Sequence, residues 1–230
     1  MSPRKTFFTV AAVIGAIILM MAAGRMMETV QVGYYHVIQT MYFGNIHVKS
    51  LPGTYLQAGA DVYVYPNEET FFATTEKDAD DDIQGADGFA VEFADASQCT
   101  ISMTARIRLP SNDIDRKSLL EKSYLNYRTI EQKLVKPTVR AALVLTANMM
   151  TAQQSYDEMR QDFFFWAKDQ IENAPYQTET EDRVIVDPIT VKETTKKFRI
   201  ISRDEFGKPL RQMNPLKGTG IEITNFEIKK

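Results

Sequence analysis

The sequence predicts an α+β protein: a single N-terminal transmembrane helix, then a domain of mixed sheet with packed helices. Three observations predict it. Residues 7–24 form an apolar run without a charge. Residues 28 to about 75 and 183–230 are dense in β-forming side chains, punctuated by Gly and Pro. Between them, residues 113–173 carry apolar side chains three and four apart, the period of a helix.

The apolar run lies between Lys5 and Arg25, and Phe7, Val10, Val13, Ile14, Ile17, Ile18, Leu19, Met20 and Gly24 belong to it. Its 18 residues would make a helix of about 27 Å, close to the roughly 30 Å of a bilayer's hydrocarbon core. A cleavable signal peptide is the alternative, with Ala22-Ala23-Gly24 as the cleavage site. The run exceeds the usual signal core of about 7–15 residues, so an uncleaved anchor is expected. Arg4 and Lys5 precede it, whereas Arg25 is followed by Glu28. The positive-inside rule then keeps the N-terminus cytoplasmic and puts the body on the extracytoplasmic, periplasmic face. Ala11/Gly15 and Ala12/Ala16 set small residues four apart, as where helices approach closely and as is common in spanning helices generally.

Composition limits the remainder. A chain of 230 residues with 44% apolar and 25% charged side chains suits one or two globular domains, not a disordered polymer. One Cys excludes an intrachain disulfide framework and Cys-rich zinc sites. The net charge of −3 argues against a surface devoted to nucleic acid. That charge is unevenly divided: residues 1–25 carry +3, and the body, with 24 basic against 30 acidic residues, carries −6.

Within the first β region, Val30, Val32, Val37 and Ile38 are strand formers, and Leu51-Pro52-Gly53-Thr54-Tyr55 contains a turn signal. Its tyrosines are expected in a sheet core, with headgroup contact as the alternative. Residues 76–95 hold eight acids against Lys77 alone. Asp78, Asp80 and Asp82 have the spacing of a calcium loop, but Ile83 and Phe89 stand where Gly and Glu are required, so a solvated acidic loop is expected. Residues 100–109 alternate strictly, with Ile101, Met103, Ala105, Ile107 and Leu109 on one face, and predict a half-buried strand ended by Pro110.

In the helical region, Leu120, Tyr124, Tyr127, Ile130 and Leu134 form one stripe, which Val139, Leu143 and Met149 continue. Pro137 should kink or break it near 133–136. Thr151 and Gln154 form a capping box opening a new helix, with Tyr156, Met159, Phe163, Trp166 and Ile171 as its buried face. Further on, Val184–Val186 and Phe198–Ile201 read as strands, Asp204–Lys208 as a hairpin loop, and 220–228 as an alternating last strand.

The search for chemistry yields no GxSxG, GxxxxGK[ST], HExxH or CxxC motif. No catalytic, cofactor-binding or metal residue is therefore expected. Cys99 is expected as a small packed side chain, and His36 and His47 as hydrogen-bonded structural residues. The strongest charge feature is a pair of opposite patches. Asp80, Asp81 and Asp82 lie in the acidic loop; Lys196, Lys197, Arg199 and Arg203 lie in a basic hairpin that carries +4 over 192–211. They are candidates for contact between neighbouring subunits, although charged hairpin edges also serve simply to deter aggregation.

The order of motifs resembles the SPFH (band-7) superfamily of stomatins, prohibitins, flotillins and bacterial Hfl proteins. An N-terminal anchor leads into VQVGYYHV (30–37), then Gly44, LPGTYLQ (51–57) and Pro66. Asp87-Gly88 precedes a long strand closing on Arg106-Ile107-Arg108-Leu109-Pro110; KPTVRAAL (136–143) and GTGIEITNFEIKK (218–230) follow in order. The resemblance implies an anchor at 1–27, a β-rich first SPFH subdomain at 28–110, and an α/β second subdomain at 111–230 with a hairpin insertion near 177–216. It implies a membrane-anchored scaffold, not an enzyme, that assembles laterally into rings or cages and organises a membrane microdomain. Implied partners are copies of itself or a paralogous SPFH subunit, the lipid bilayer and a membrane AAA protease, with no cofactor and no nucleic acid. The relatives' long coiled coil has no counterpart after the closing strand. A monomeric extracytoplasmic module binding a peptide or envelope partner is the alternative.

Overall fold

Alternating side chains build the longest strand, and the main sheet assembles on it. The structure is a computed structural model that describes residues 26–41, 44–57, 59–74, 86–186 and 193–229. In chain order it runs β1 (Met27–Val30), β2 (Tyr34–Gln39), β3 (Ile46–Lys49), β4 (Gly53–Leu56), β5 (Asp61–Pro66), β6 (Glu68–Thr74), β7 (Ala86–Asp87), β8 (Phe89–Glu92) and β9 (Gln98–Arg108). Helix α1 (Asp113–Glu121) follows. Helix α2 joins a turn at Tyr127–Ile130, a π-helical turn at Glu131–Val135 and Lys136–Ala147. Then come α3 (Ala152–Tyr156), α4 (Arg160–Asn173), β10 (Thr178–Val186), β11 (Glu193–Ile201) and β12 (Glu222–Lys229).

In the main sheet the order is β12-β9-β6-β7, with β8 also on β9. β12 and β6 flank β9 antiparallel, and β7 runs parallel to β6. Ile101, Met103, Ala105 and Ile107 are buried, as their alternation predicts. Three smaller sheets surround this one: a β1–β4 ribbon, a β3-β2-β5 sheet and the β10–β11 hairpin. Tyr35 and Tyr65 stack at 5.3 Å in the core, and the Arg116 guanidinium lies 4.3 Å above the Tyr35 ring. One hydrophobic cluster joins strand residues such as Met103 and Phe226 to helix residues such as Leu119, Leu143 and Ile171.

These observations correct the expected fold class, a transmembrane helix followed by an SPFH-like domain. The described chain is sheet-rich, with four helices and four separate sheets. Among the described residues no helix is long and apolar enough to cross a membrane. The long helices instead bury one stripe and expose the other: α4 buries Phe163, Ala167, Gln170 and Ile171 while Asp162 and Phe165 face solvent. The expected spanning run, Phe7–Gly24, lies outside the described residues.

Pro137 neither breaks nor sharply ends the helix. It sits in the first turn of Lys136–Ala147, directly after the π-helical turn. Proline has no N–H to donate and its ring crowds the carbonyl four residues back; a widened turn accommodates both. The helix opened by Thr151 is interrupted at Asp157–Met159, giving α3 and α4 where one helix was expected. Tyr156, expected on the buried face, is 65% exposed.

Candidate binding groove

The start of α3 is fixed from both sides. The Thr151 hydroxyl accepts from the Gln154 N–H at 3.1 Å, and the Gln154 side chain accepts from the Thr151 N–H at 3.0 Å. The Ala152 N–H donates to Asp95 Oδ2 at 3.3 Å and the Ala94 N–H to the Met150 carbonyl at 3.1 Å. Those bonds clip α3 to the turn between β8 and β9. α4 is held by rings: Phe163 packs 6.1 Å from Phe93, and Phe164 5.6 Å from Phe226 on β12.

Between these clamps the helices stand away from the sheet. They leave a groove of about 850 Å³ whose lining includes Cys99, Ile101, Tyr156, Phe163, Phe164 and Ile228. Arg160 is the charged residue of the lining, and it has no ion-pair partner among the described residues. Along the floor, Cys99 and Thr100 are exposed. Cys99 is therefore not the packed side chain expected. It shares the sheet face of buried Ile101, but it opens into the groove.

Two polar clusters lie elsewhere. His36 Nδ1 is 2.9 Å from the Tyr55 hydroxyl; burial lowers the imidazole pKa, with Glu28 pulling weakly upward. Burial and Glu28 push the Tyr55 phenol up to about 12. This is the structural histidine expected, whereas His47 on β3 is exposed. At the end of α4, Asp169 accepts from Arg211 at 2.7 Å, from Asn173 at 2.8 Å and from the Tyr176 hydroxyl. Burial alone would raise the Asp169 pKa, but these donors together hold it below the ordinary value. Among the described residues no three His, Cys, Asp or Glu side chains group as a metal site.

Of the charge-contact candidates, Asp80, Asp81 and Asp82 lie outside the described residues. Lys196 Nζ donates to the Asp95 carbonyl at 2.8 Å, and Arg203 to the Gly207 carbonyl at 2.8 Å, both within the chain. The Arg199 guanidinium reaches Thr178 Oγ1 at 3.5 Å. Lys197 is exposed on the same hairpin. Sequence reading missed the groove because its residues come from four separated segments, none with a local motif. No protein-family model matches the chain, and no curated protein is detectably similar to it in sequence.

Proposed function

We propose that the chain is a self-associating scaffold that acts by binding, its copies held at a membrane through residues 7–24 and packed side by side. The observation that carries this reading is the groove beside β9, a docking volume of about 850 Å³ walled mainly by apolar side chains and bordered by exposed strand. Surfaces of that kind favour burial against another polypeptide. Attachment to one plane raises effective concentration, so modest lateral contacts suffice for assembly. The proposed partners are further copies or a related subunit, the bilayer itself, and a membrane protease or other membrane protein enclosed by the assembly. The test is native mass spectrometry of the detergent-extracted full chain, with imaging of the same particles. Multi-copy particles are expected. Single-copy particles at every concentration, on vesicles as in detergent, overturn the reading in favour of a monomeric binding module.

A further inference from the structure

We infer that the groove at α3 and α4 takes the Phe206 turn of a second copy of this chain, with Glu205 of that turn paired to Arg160 of the groove. This rests on the scaffold reading and names its contact. The groove is aromatic: Phe93, Tyr156, Phe163 and Phe164 line its volume of about 850 Å³. Arg160 is the charged residue of the lining and has no ion-pair partner among the described residues. A purely apolar cover would strip water from that cation and return nothing for it. The fitting occupant therefore presents a large apolar side chain with a carboxylate next to it.

The chain displays such a segment. Phe206 is 86% exposed, more than any other aromatic ring among the described residues, and Glu205 beside it is exposed. Glu205 likewise has no ion-pair partner among the described residues. The ring is held out on a closed turn. The N–H groups of Phe206 and Lys208 both donate to Asp204 Oδ1, at 2.9 and 2.8 Å. The Asp204 N–H donates to the Lys208 carbonyl at 2.9 Å, and Arg203 to the Gly207 carbonyl at 2.8 Å. A side chain carried on so fixed a backbone loses little further freedom on docking. The turn does not reach the groove of its own copy. Arg160 opens α4, whereas the segment bearing Phe206 is fastened to the other end of that helix, by Arg211 on Asp169 and Asn214 on the Glu172 carbonyl. Arg160 and Glu172 are about 18 Å apart along the helix axis. Groove and turn therefore meet only between copies, head to tail. Such a contact leaves one groove and one turn free at the ends, and repeats into a row or a ring. On the other flank of the ring, Lys208 finds the opposite sign in Asp157 and Glu158, exposed where α3 gives way to α4.

The full chain with p-benzoylphenylalanine in place of Phe206 is extracted in detergent and irradiated. A ladder of covalent species at multiples of 26.2 kDa is expected, because each copy offers one turn and one groove. The joined peptides should fall within 93–101 or 152–164, the segments that line the groove. Native mass spectrometry then measures association of variants at the exposed positions, each with an unchanged melting temperature. Phe206→Ala should weaken association by at least about ten-fold, as for an aromatic anchor at the centre of a contact. Arg160→Glu and Glu205→Arg should each weaken it by about five-fold or more, and R160E/E205R should restore it to within about three-fold of the wild type. Wild-type association in Phe206→Ala, or no recovery in R160E/E205R, overturns the proposal. Multi-copy particles whose cross-links map elsewhere overturn the groove contact but leave the scaffold reading standing; single-copy particles throughout overturn both.

Discussion

Gln170 Nε2 donates to Thr146 Oγ1 at 2.7 Å, and this bond between two fully buried side chains joins α4 to α2. The Thr146 hydroxyl in turn donates a hydrogen bond to the Ala142 carbonyl at 2.8 Å. Gln170 Oε1 accepts from the Tyr176 N–H at 3.2 Å. A buried network of this kind is stabilising only while each member is satisfied. Thr146→Val strands the Gln170 amide and should cost about 1–3 kcal/mol. Adding Gln170→Leu to it should cost less than the sum of the two single changes, because the stranded amide is gone. Urea unfolding of the four-member cycle checks this; strict additivity would count against the network.

The His36–Tyr55 pair predicts how stability responds to acid. Burial holds the folded imidazole below its ordinary pKa, so the unfolded chain takes up the proton first, as pH falls through about 6.5. Stability is fully present above that value and is lost as pH drops toward the folded pKa. The chemistry agrees: the Tyr55 phenol keeps its proton at neutral pH, and in the tautomer with Nδ1 unprotonated its hydroxyl donates a hydrogen bond to Nδ1, which a protonated Nδ1 does not accept. The denaturation midpoint of the wild type should fall between pH 7 and pH 5, and that of His36→Gln should fall less. Parallel curves for the two proteins would remove His36 from the explanation.

At the entry to β12, Gly220 has φ of +65° and an added Cβ would stand 2.6 Å from Asp115 Oδ2. Gly218, with φ of +84°, has nothing within 4 Å. Gly218→Ala should therefore carry only the backbone penalty, about 1 kcal/mol. Gly220→Ala carries in addition the displacement of an Asp115 side chain that accepts from Asn112 at the start of α1, and should cost at least about 1 kcal/mol more. Equal midpoints for the two variants would show that Asp115 moves aside freely.

Local chemistry made part of this molecule legible. The alternation of 100–109 named the buried face of β9, and Thr151 with Gln154 marked the start of α3, because each signal is complete within a few residues. The break at Asp157–Met159 was not legible, since apolar spacing continues straight through it. Nor was the exposure of Cys99, which faces the groove set by helices α3 and α4, elements distant from it in sequence. The groove is a relation among distant segments, and periodicity describes only neighbours.

The π-helical turn at Glu131–Val135 makes α2 sensitive to its own length. One surplus residue in a helix rotates everything beyond it by about 100°. Ile130 before the turn and Val139, Leu143 and Ala147 after it are all fully buried, so both stretches are phased to the same core with that surplus included. Removing a single residue there would swing one stretch off the sheet while leaving every side chain's identity intact. Insertions and deletions, which most surface loops absorb, would be read in this helix as a change of address.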